Sequence, residues 1–407
     1  MPENAAPEAA STLAVAYAFT PYSDTSAVVA AKRIRLAGRP VDLIQNAMDE
    51  IRGTDPTSDL ICAPLLRRRA VLPTRTKFGA WGSIVEFCEA GLTQIEEWER
   101  DGAGYRRLYS RAHFIASHFL AALHKLRHPG VEWEAEFSDT LSRNGVGELR
   151  ASDVLPGPLL DELRSGILRH GGTPPESTNV YVWGEYATLT LADRLLFTNG
   201  AQREFVFNLY PADDPVIARA RARSVVAPHP SPPDELYAAT PSTYPLDPGL
   251  CNIAYFGNFY ASQQPEDVLQ PFAELTAQDR SRLRLHVFTG ATGELEQLVD
   301  ALGLAETIAV NGRLPYLEFL NLARRMDVLL AVDARTPPGQ DRNPVLLSKW
   351  SDYAGAGTPV WGVVEEGSEL AGQALAHRSP LGHRTAALQV LTRLSRQRLQ
   401  PATTPRT

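Results

Sequence analysis

Features that mark several common protein classes are scarce or missing in this chain of 407 residues. It has three cysteines, Cys62, Cys88 and Cys251, without a CxxC pair, which predicts reduced and mostly buried thiols rather than disulfides. No apolar run approaches the roughly 18 to 20 residues that cross a bilayer. The net charge of −7 argues against a general affinity for nucleic acid, which needs Lys and Arg clustered on one basic face. These absences favour a soluble protein. The negative net charge does not exclude an anionic small ligand, because one local positive pocket is enough to bind it.

The sequence motifs of many familiar enzymes are also missing. The loop after the first predicted strand reads FTPYSDTSA, without the GxGxxG of dinucleotide-binding folds, and the short GATG at Gly290–Gly293 does not replace it. No GxxxxGK[ST] phosphate loop, HExxH zinc helix, GxSxG nucleophile elbow or DxD triplet occurs. No catalytic metal and no cofactor are therefore expected. The N-terminal MPENAAPEAAST lacks a basic region before an apolar core, which predicts a cytoplasmic protein without a signal peptide.

The chain length predicts two domains, and proline marks the boundary between them. The segment 228–250 holds seven prolines in 23 residues, so it is expected to be a linker without regular helix or inner strand. The predicted segments are a disordered leader at 1–12, an N-terminal domain at 13–227, the linker at 228–250, a C-terminal domain at 251–381, and a helix with a tail at 382–407.

Short apolar runs alternate with helical patterns in both halves. Strands separated by helices imply right-handed crossovers and parallel sheets. The fold class predicted is α/β, with two doubly wound Rossmann-like domains facing a cleft and ligands at the carboxyl ends of the strands. The predicted strands are Leu13–Ala18, Val41–Ile44, Trp133–Phe137 and Leu195–Thr198 in the first half, and Asn252–Phe256, Leu283–Phe288, Ile308–Asn311, Val328–Val332 and Val360–Val363 in the second.

The segment RNPVLLSKWSDYAGAGTPVWG, from Arg342 to Gly362, has the pattern of a phosphate site. Ser348 and Lys349 are predicted to open a helix whose N-terminal amides and positive dipole end can face a phosphate, and Lys349 adds a full charge. Asp352 follows about one helical turn later, where a carboxylate can accept hydrogen bonds from ribose hydroxyls.

The pattern SKxxDYxxxGxPV in this segment resembles the SKLxEYxAxGKPV signature of retaining GT-B glycosyltransferases. IAYFGNFYASQQPEDVL and VNGRLPYLEFLNLARRMDVLLAVD are similar to other C-domain segments of that family, and FTPYSDTSAVVAAKRI and LADRLLFTNGAQREF are similar to N-domain segments. The resemblance implies a GT-B fold and metal-independent transfer of a sugar from a nucleotide diphosphate sugar to a hydroxyl acceptor with retention of configuration. In the front-face mechanism that the resemblance implies, no protein nucleophile is needed, and the departing phosphate takes the acceptor proton. The N-terminal domain is then expected to bind the acceptor and the C-terminal domain the nucleotide sugar.

The resemblance and the positions of residues in the predicted elements together indicate roles for individual residues, such as that of Asp139 in the loop after a predicted strand. Lys349, His118 and Asp139 are the predicted catalytic residues. The predicted nucleotide-sugar contacts are Gly257, Asn258, Arg313, Ser348, Lys349 and Asp352 in the second half, and Tyr22, Ser23, Asp24 and Thr25 in the first.

Several of these residues have a structural interpretation as well. Asp24 or Thr25 is suited to cap the next helix, and a helical histidine such as His118 is more often structural than catalytic. Arg313 is equally compatible with a surface salt bridge, and Asp352 with a local pairing.

Other functions stay open at this stage. Pro344 and Gln264 stand where many family members carry an acidic and a basic residue, so a non-catalytic family member that acts as an assembly partner is one alternative. A nucleotide-sugar epimerase of the same fold is another. The expected partners are a nucleotide-sugar donor and a glycan, lipid-linked or small-molecule acceptor. The run Arg67–Arg69 is expected to be a solvated face, and the basic C-terminal helix is expected to pack at the domain junction. For both, the alternative is contact with an anionic lipid at the inner membrane face.

Overall fold

A computed structural model describes residues 11–138, 140–143, 148–259, 263–336 and 342–397 of the chain. The protein divides into two compact units, an N-terminal unit, Met1–Pro230, and a C-terminal unit, Ser231–Thr407. Each unit is an α/β fold on a sheet in which all paired strands are parallel. The predicted fold class is therefore confirmed for each unit.

The N-terminal unit is built on a seven-stranded sheet. Its strands are β1 Thr12–Val15, β2 Val41–Asn46, β3 Leu66–Leu72, β4 Arg107–Ala112, β5 Glu132–Phe137, β6 Arg194–Phe197 and β7 Ser224–Val226. Its α-helices are α1 Thr25–Ala37, α2 Trp81–Arg100, α3 Ala116–Arg127, α4 Pro158–Arg169, α5 Val180–Leu191, α6 Gly200–Phe207 and α7 Pro215–Arg223, with short 3-10 helices at Pro56–Ile61 and Ala63–Leu65. The strand order is β3-β2-β1-β4-β5-β6-β7, so the order reverses between β1 and β4.

Helix α1 shows how local sequence determines the ends of an element. Asp24 has an extended backbone, and its Oδ1 accepts a hydrogen bond from the Ser26 amide at 2.8 Å, which satisfies one of the unpaired amides of the first turn. Gly38 ends the helix at a φ of 64°, a left-handed conformation that glycine adopts without strain. Of the two capping candidates, Asp24 and Thr25, the structure confirms Asp24.

Strand β3 carries arginines and is not predicted from the apolar runs. Arg69 is half-buried there, because its guanidinium group donates to Gln45 at 2.8 Å and lies 3.2 Å from a carboxylate oxygen of Asp59. The expectation that Arg67–Arg69 is simply a solvated face is therefore wrong for Arg69. Pairing of its charge allows this arginine to lie in a sheet.

Helix α2 begins earlier than predicted. The sequence predicts Ser83 as its cap, but the helix begins at Trp81 after Ala80, which makes no side-chain capping bond. Trp81 is buried and packs edge-on against Phe119, with ring centroids 5.5 Å apart. Burial of this large aromatic side chain outweighs the local capping preference.

A buried group of charges, which we call the Glu136 network, joins the sheet to the end of the N-terminal unit. The carboxylate of Glu136 on β5 is fully buried and lies 2.8 Å from Arg111 on β4 and 2.9 Å from Arg33 on α1. Arg33 also donates to the carbonyl oxygens of Ala227 and Pro228, at 3.1 and 3.2 Å. Burial alone would raise the pKa of Glu136, but the two guanidinium groups lower it to about 2. The carboxylate is therefore ionised at neutral pH and holds the chain after β7 in place.

A second buried carboxyl group, that of Glu185 on α5, has the opposite electrostatic environment. Its Oε1 accepts hydrogen bonds from Tyr210 at 2.7 Å and Ser142 at 3.3 Å, whereas its Oε2 is buried and has no hydrogen-bond partner among the described residues. Burial raises the pKa of Glu185 from 4.5 to about 7. The folded state thus holds this proton more tightly than the unfolded chain does. The resulting stabilisation is complete below about pH 4.5 and is lost as the pH rises through about 7.

Replacing Glu185 with glutamine is expected to raise the free energy of unfolding at pH 8 by about 3 kcal/mol, because glutamine stays neutral in the buried site. At pH 4 the gain should be absent, since glutamic acid is then protonated in both states. Urea titrations of both proteins at pH 4 and pH 8 measure the difference. The exposed Glu176 provides a control, and Glu176→Gln should leave the pH dependence unchanged. An equal effect of Glu185→Gln on stability at the two pH values would contradict the raised pKa of Glu185.

The C-terminal unit is built on a six-stranded sheet. Its strands are β8 Cys251–Phe256, β9 Leu283–Phe288, β10 Ile308–Asn311, β11 Val328–Val332, β12 Val360–Val364 and β13 His377–Pro380. Its helices are α8 Asp234–Ala238, α9 Glu266–Glu274, α10 Ala277–Arg280, α11 Thr292–Ala301, α12 Tyr316–Arg325, α13 Trp350–Ala356 and α14 Arg384–Gln397. The strand order is β10-β9-β8-β11-β12-β13. The five strands predicted for this half are confirmed.

The proline-rich segment differs from the prediction. It contains the short helix α8, although its prolines were expected to prevent regular helix, and residues 231–250 belong to the C-terminal unit. The Tyr237 hydroxyl donates to the Asp352 carbonyl oxygen at 2.6 Å, and the Asn321 side chain donates to the Tyr237 carbonyl oxygen at 2.9 Å. The stretch DELYA lies between prolines and is long enough for one helical turn, which explains the error.

Helix α14 is part of the core of the C-terminal unit. Ala387, Val390, Leu391 and Leu394 are buried with the side chains of the sheet, and the helix packs against α9 and β13. Its apolar face is thus covered within its own unit. No helix in the described part of the chain has the length and apolar character to span a bilayer.

Candidate functional site

The strand order of the C-terminal unit identifies one edge of its sheet as the candidate site. The chain leaves β8 toward β9 on one side, whereas β11 pairs with β8 on the other side. In open α/β sheets such a reversal leaves a crevice at the carboxyl ends of the two strands, where ligands bind. Gly257 follows β8, and Asp333 follows β11. The segment that resembles the glycosyltransferase signature connects β11 to β12, which ends at the same edge.

Helix α13 is attached directly to the end of β8. The Phe256 amide donates a hydrogen bond to the Tyr353 hydroxyl oxygen at 3.1 Å, and both residues are buried. The helix comprises only the residues Trp350–Ala356, and Lys349 occupies its N-cap position. Ser348 and Lys349 are half-buried, and the anchoring of Tyr353 places them beside the carboxyl end of β8.

The ammonium group of Lys349 lies over aromatic rings. Its Nζ is 4.5 Å from the ring centroid of Phe319 and 5.9 Å from that of Tyr316. Phe319 in turn packs against Phe256, with ring centroids 4.7 Å apart. Lys349 is the only lysine between Ser231 and Thr407. The aromatic faces orient this single ammonium group near the predicted phosphate position by cation–π attraction.

Asp352 lies in the interior of the C-terminal unit. It is 3% exposed, and its Oδ1 accepts a hydrogen bond from the Tyr316 hydroxyl at 2.7 Å. Burial and the adjacent Asp352 carboxylate raise the pKa of Tyr316 well above its ordinary value, so the phenol stays a donor. The local pairing considered in the sequence analysis is present, and the contact with a ribose stays a prediction.

The turns after β8, β9 and β10 are connected to one another. Asn258 Oδ1 accepts hydrogen bonds from the Thr289 hydroxyl at 3.0 Å and the Gly290 amide at 2.9 Å. A Cβ atom at Gly290 would lie 2.8 Å from Nε of Arg313, so glycine is needed for the guanidinium group to pack there. The Gly257 amide donates to the Phe288 carbonyl oxygen at 3.0 Å, so it continues the hydrogen bonding between β8 and β9. Three predicted binding residues thus lie in one set of turns, together with Gly290.

The loop that leads to Lys349 is held by Asp333, which sequence reasoning did not single out. Its Oδ1 accepts a hydrogen bond from the Asn343 side chain at 3.4 Å, and Asn343 also donates to the Ala334 carbonyl oxygen at 2.7 Å. Its Oδ2 accepts a hydrogen bond from the Glu365 amide at 3.2 Å. Burial raises the pKa of Asp333 to about 6. Its position directly after a predicted strand was the available signal, but nothing in the sequence distinguishes a loop-supporting carboxylate from a ligand-binding one.

In the N-terminal unit, the loop Tyr22–Thr25 follows β1 at the carboxyl edge of the sheet. Tyr22 is buried, and its hydroxyl donates to Asp49 at 3.0 Å, while the Ser23 amide donates to the Gly53 carbonyl oxygen at 2.8 Å. Asp24 caps α1 and pairs with Arg52 at 3.0 Å, and Thr25 is the exposed first residue of α1. The loop is firmly held, and its contact with a sugar stays a prediction.

His118 is placed in the core rather than at this edge. It has no exposed surface, its Nδ1 lies 2.9 Å from the Ser110 hydroxyl oxygen, and its ring packs edge-on against Trp133 and Phe137. Burial lowers its pKa to about 3, so the imidazole is neutral. These contacts favour the structural interpretation of His118. Asp139 lies outside the described residues, so its catalytic role stays a prediction.

His113 is a candidate that sequence reasoning missed. It directly follows β4, one of the two strands at which the order of the N-terminal sheet reverses. It is half-buried, with its ring edge-on to Phe78 at a centroid distance of 5.3 Å. The signal was its position after a strand, but β4 reads RLYSRA and its arginines concealed the strand.

Comparisons with known proteins give matches at the level of structure alone. No protein-family model and no curated protein sequence matches the chain. A glycosyltransferase from Rickettsia africae ESF-5 is 10% identical with a TM-score of 0.52 over 95% of this chain and 88% of that one. A putative UDP-N-acetylglucosamine 2-epimerase from Listeria monocytogenes is 11% identical with a TM-score of 0.53 over 96% and 89%.

A sucrose-phosphate synthase from Thermosynechococcus elongatus is 15% identical, with a TM-score of 0.50 over 96% of this chain and 94% of that one. All three matches extend over nearly the whole length of both chains, so they include both sheets and the order in which they occur. At such identities a match carries the fold and not the reaction. The chain therefore has a GT-B fold, with a seven-stranded and a six-stranded Rossmann-like α/β domain.

Proposed function

We propose that the protein is a glycosyltransferase that binds a nucleotide diphosphate sugar at the carboxyl edge of the C-terminal sheet. It transfers the sugar to a hydroxyl acceptor with retention of configuration and without a catalytic metal. One observation carries the proposal: α13 is anchored to the end of β8 and holds Lys349 at the point where the strand order reverses. A crevice of this kind with one oriented cation is suited to a diphosphate.

The proposed chemistry depends on electrostatic stabilisation of the leaving group. As the bond to the sugar breaks, negative charge develops on the diphosphate, and a cation held in place beforehand lowers the energy of that state. Lys349 supplies this charge, and the exposed Arg313 supplies a second one at the turn after β10. The carboxylates of Asp352 and Asp333 are both engaged in hydrogen bonds. This engagement supports a reaction in which neither carboxylate attacks the sugar and the departing phosphate takes the proton of the acceptor hydroxyl.

The acceptor is proposed to bind at the carboxyl edge of the N-terminal sheet. The ends of β1 and β4 lie next to each other there, and they carry the loop Tyr22–Thr25 and His113. A half-buried imidazole and a rigid loop are able to hydrogen-bond sugar hydroxyls. Glycan, lipid-linked and small-molecule acceptors all present such hydroxyls.

Binding of the donor is expected to raise the thermal stability of the protein. A ligand at 100 times its Kd adds about 2.7 kcal/mol to the free energy of unfolding, which corresponds to roughly 5 to 10 °C in Tm. A thermal-shift series with UDP, GDP and dTDP and their sugar conjugates measures it, with the free sugars as controls. If no nucleotide diphosphate shifts Tm and calorimetry detects no binding, the proposal fails and a non-catalytic assembly partner of the same fold is favoured.

A second candidate, a nucleotide-sugar epimerase, is favoured by the structural similarity to proteins described as UDP-N-acetylglucosamine 2-epimerases. Incubating UDP-N-acetylglucosamine with the protein in the absence of an acceptor separates the two functions. An epimerase produces a new set of sugar proton signals in the NMR spectrum. The proposed transferase leaves the donor unchanged until a hydroxyl acceptor is added.

A further inference from the structure

Two histidines and a glutamate meet at the opposite edge of the N-terminal sheet from the proposed acceptor site. Glu99 lies in the last turn of α2, His124 in the last turns of α3, and His128 directly after α3. One ring nitrogen of each histidine and one carboxylate oxygen of Glu99 lie within 4.8 Å of one another. The Nε2 of His128 is 3.8 Å from Glu99 Oε2.

The hydrogen bonding of His124 is incomplete. The residue is 1% exposed, and its buried Nε2 has no hydrogen-bond partner in the described part of the chain. A buried polar atom without a partner costs roughly 1 to 3 kcal/mol, so such an atom in a folded protein needs an explanation. The ring of His128 stacks on that of His124 at a centroid distance of 4.4 Å and an interplanar angle of 25°, so the partly exposed His128 ring must rotate before both imidazoles can bind one ion.

The nearest positive charge, that of an arginine, is neutralised by glutamates outside the cluster. Arg127 lies next to His128 in the sequence, but its guanidinium group is paired with Glu162 at 3.0 Å and lies 3.7 Å from Glu96. The side chain of Glu99 is 24% exposed and that of His128 is 40% exposed, so an ion can enter from solvent. The spacing of four residues between the histidines places both on one face of the helix end.

We propose that Glu99, His124 and His128 form a binding site for a divalent transition-metal ion of the zinc type. Two imidazole nitrogens and one carboxylate oxygen are a ligand set typical of Zn²⁺, with water as the fourth ligand. The ion would use the otherwise unpaired nitrogen of His124 and join the end of α2 to the end of α3. The helix α3, of 12 residues and about 18 Å in length, separates this site from the carboxyl edge of the sheet. The proposed role of the ion is structural, and it does not depend on donor binding in the C-terminal unit.

Calorimetric titration of ZnCl₂ into the full-length protein, after removal of metal with a chelator, tests the site. One saturable site is expected, together with a rise in Tm on adding Zn²⁺. His128→Ala and Glu99→Gln should each weaken Zn²⁺ binding by at least about 10-fold and remove the rise in Tm. Both side chains are partly exposed, so these variants should fold, and the circular dichroism spectrum checks it. Substituting Co²⁺ should give the visible absorption of a tetrahedral site.

Two controls separate this site from adventitious binding to surface residues. Glu97→Gln lies on the same helix outside the cluster, and His170→Ala removes an exposed histidine at the end of α4. Both should bind Zn²⁺ like the wild type. Absence of a saturable site, or unchanged affinity in both cluster variants, would overturn the proposal and leave only a histidine–glutamate ion pair. The thermal shift with nucleotide diphosphates is read separately, so failure of one proposal does not affect the other.

Discussion

Replacing Lys349 with alanine is expected to weaken the binding of a nucleoside diphosphate by about 10- to 100-fold. A hydrogen bond to a charged group contributes roughly 1.5 to 3 kcal/mol, and each 1.4 kcal/mol corresponds to a factor of about ten in Kd. No other lysine is present in the C-terminal unit. The aromatic rings of Phe319 and Tyr316 keep the ammonium group oriented, so little conformational entropy is lost when the phosphate binds.

Isothermal titration calorimetry with the nucleoside diphosphate selected by thermal shift measures this effect. Lys349→Arg keeps the positive charge and should retain part of the affinity. Arg393→Ala is the matched control, since it removes an exposed cation on α14 of the same unit. Urea titration separates loss of binding from the small loss of stability caused by the missing cation–π contact. Equal affinity of Lys349→Ala and the wild type would remove this residue from the donor site.

Replacing Glu136 with alanine is expected to lower the free energy of unfolding of the N-terminal unit by about 3 to 5 kcal/mol. The substitution leaves the buried side chain of Arg111 and the nearly buried side chain of Arg33 without their shared counter-ion. It also removes the acceptor of a 2.5 Å hydrogen bond from the Tyr109 hydroxyl. Because this one substitution leaves two cations without a counter-ion, we expect a large loss of stability of the N-terminal unit.

Chemical denaturation at pH 7 measures the loss, with Glu132→Ala as control because Glu132 is an exposed carboxylate on the same strand. The control should change stability by less than about 0.5 kcal/mol. The pKa of Glu136 is lowered in the folded state, from 4.5 to about 2. Its stabilisation is therefore present above about pH 4.5 and is lost as the pH falls toward 2. A similar loss in both variants would show that the network contributes nothing specific.

Five of the six strands of the C-terminal sheet could be predicted because apolar residues predominate in them, whereas β13 reads HRSP and was not predicted. Leu283–Phe288, Ile308–Asn311 and Val328–Val332 have the bounds that the sequence indicates. Strands buried on both faces are rich in apolar side chains, and such segments stand out in a sequence. The strands β3 and β4 were missed for the opposite reason. Arg69 on β3 pairs with Asp59 and Arg111 on β4 pairs with Glu136, and no local pattern of the sequence reveals these pairings.

The candidate site was predicted in outline but not in its contacts. The segment containing Ser348 and Lys349 was found from its helix signal and its resemblance to a known signature. That Asp352 bonds to Tyr316, 36 residues earlier, depends on how α12 and α13 pack, and sequence spacing does not reveal it. His118 was preferred to His113 because motif position was the only guide. The two histidines differ in burial, which is a property of the folded chain.

The segment around Pro230 limits how the two units can be connected. On one side, Arg33 binds the carbonyl oxygens of Ala227 and Pro228, and on the other, α8 begins at Asp234. The residues before α8 read PSPP, so three of the four have a φ angle fixed by a proline ring. Such a stretch acts as a short, stiff spacer rather than as a flexible tether. The backbone between the two units therefore has few torsion angles that are free to change.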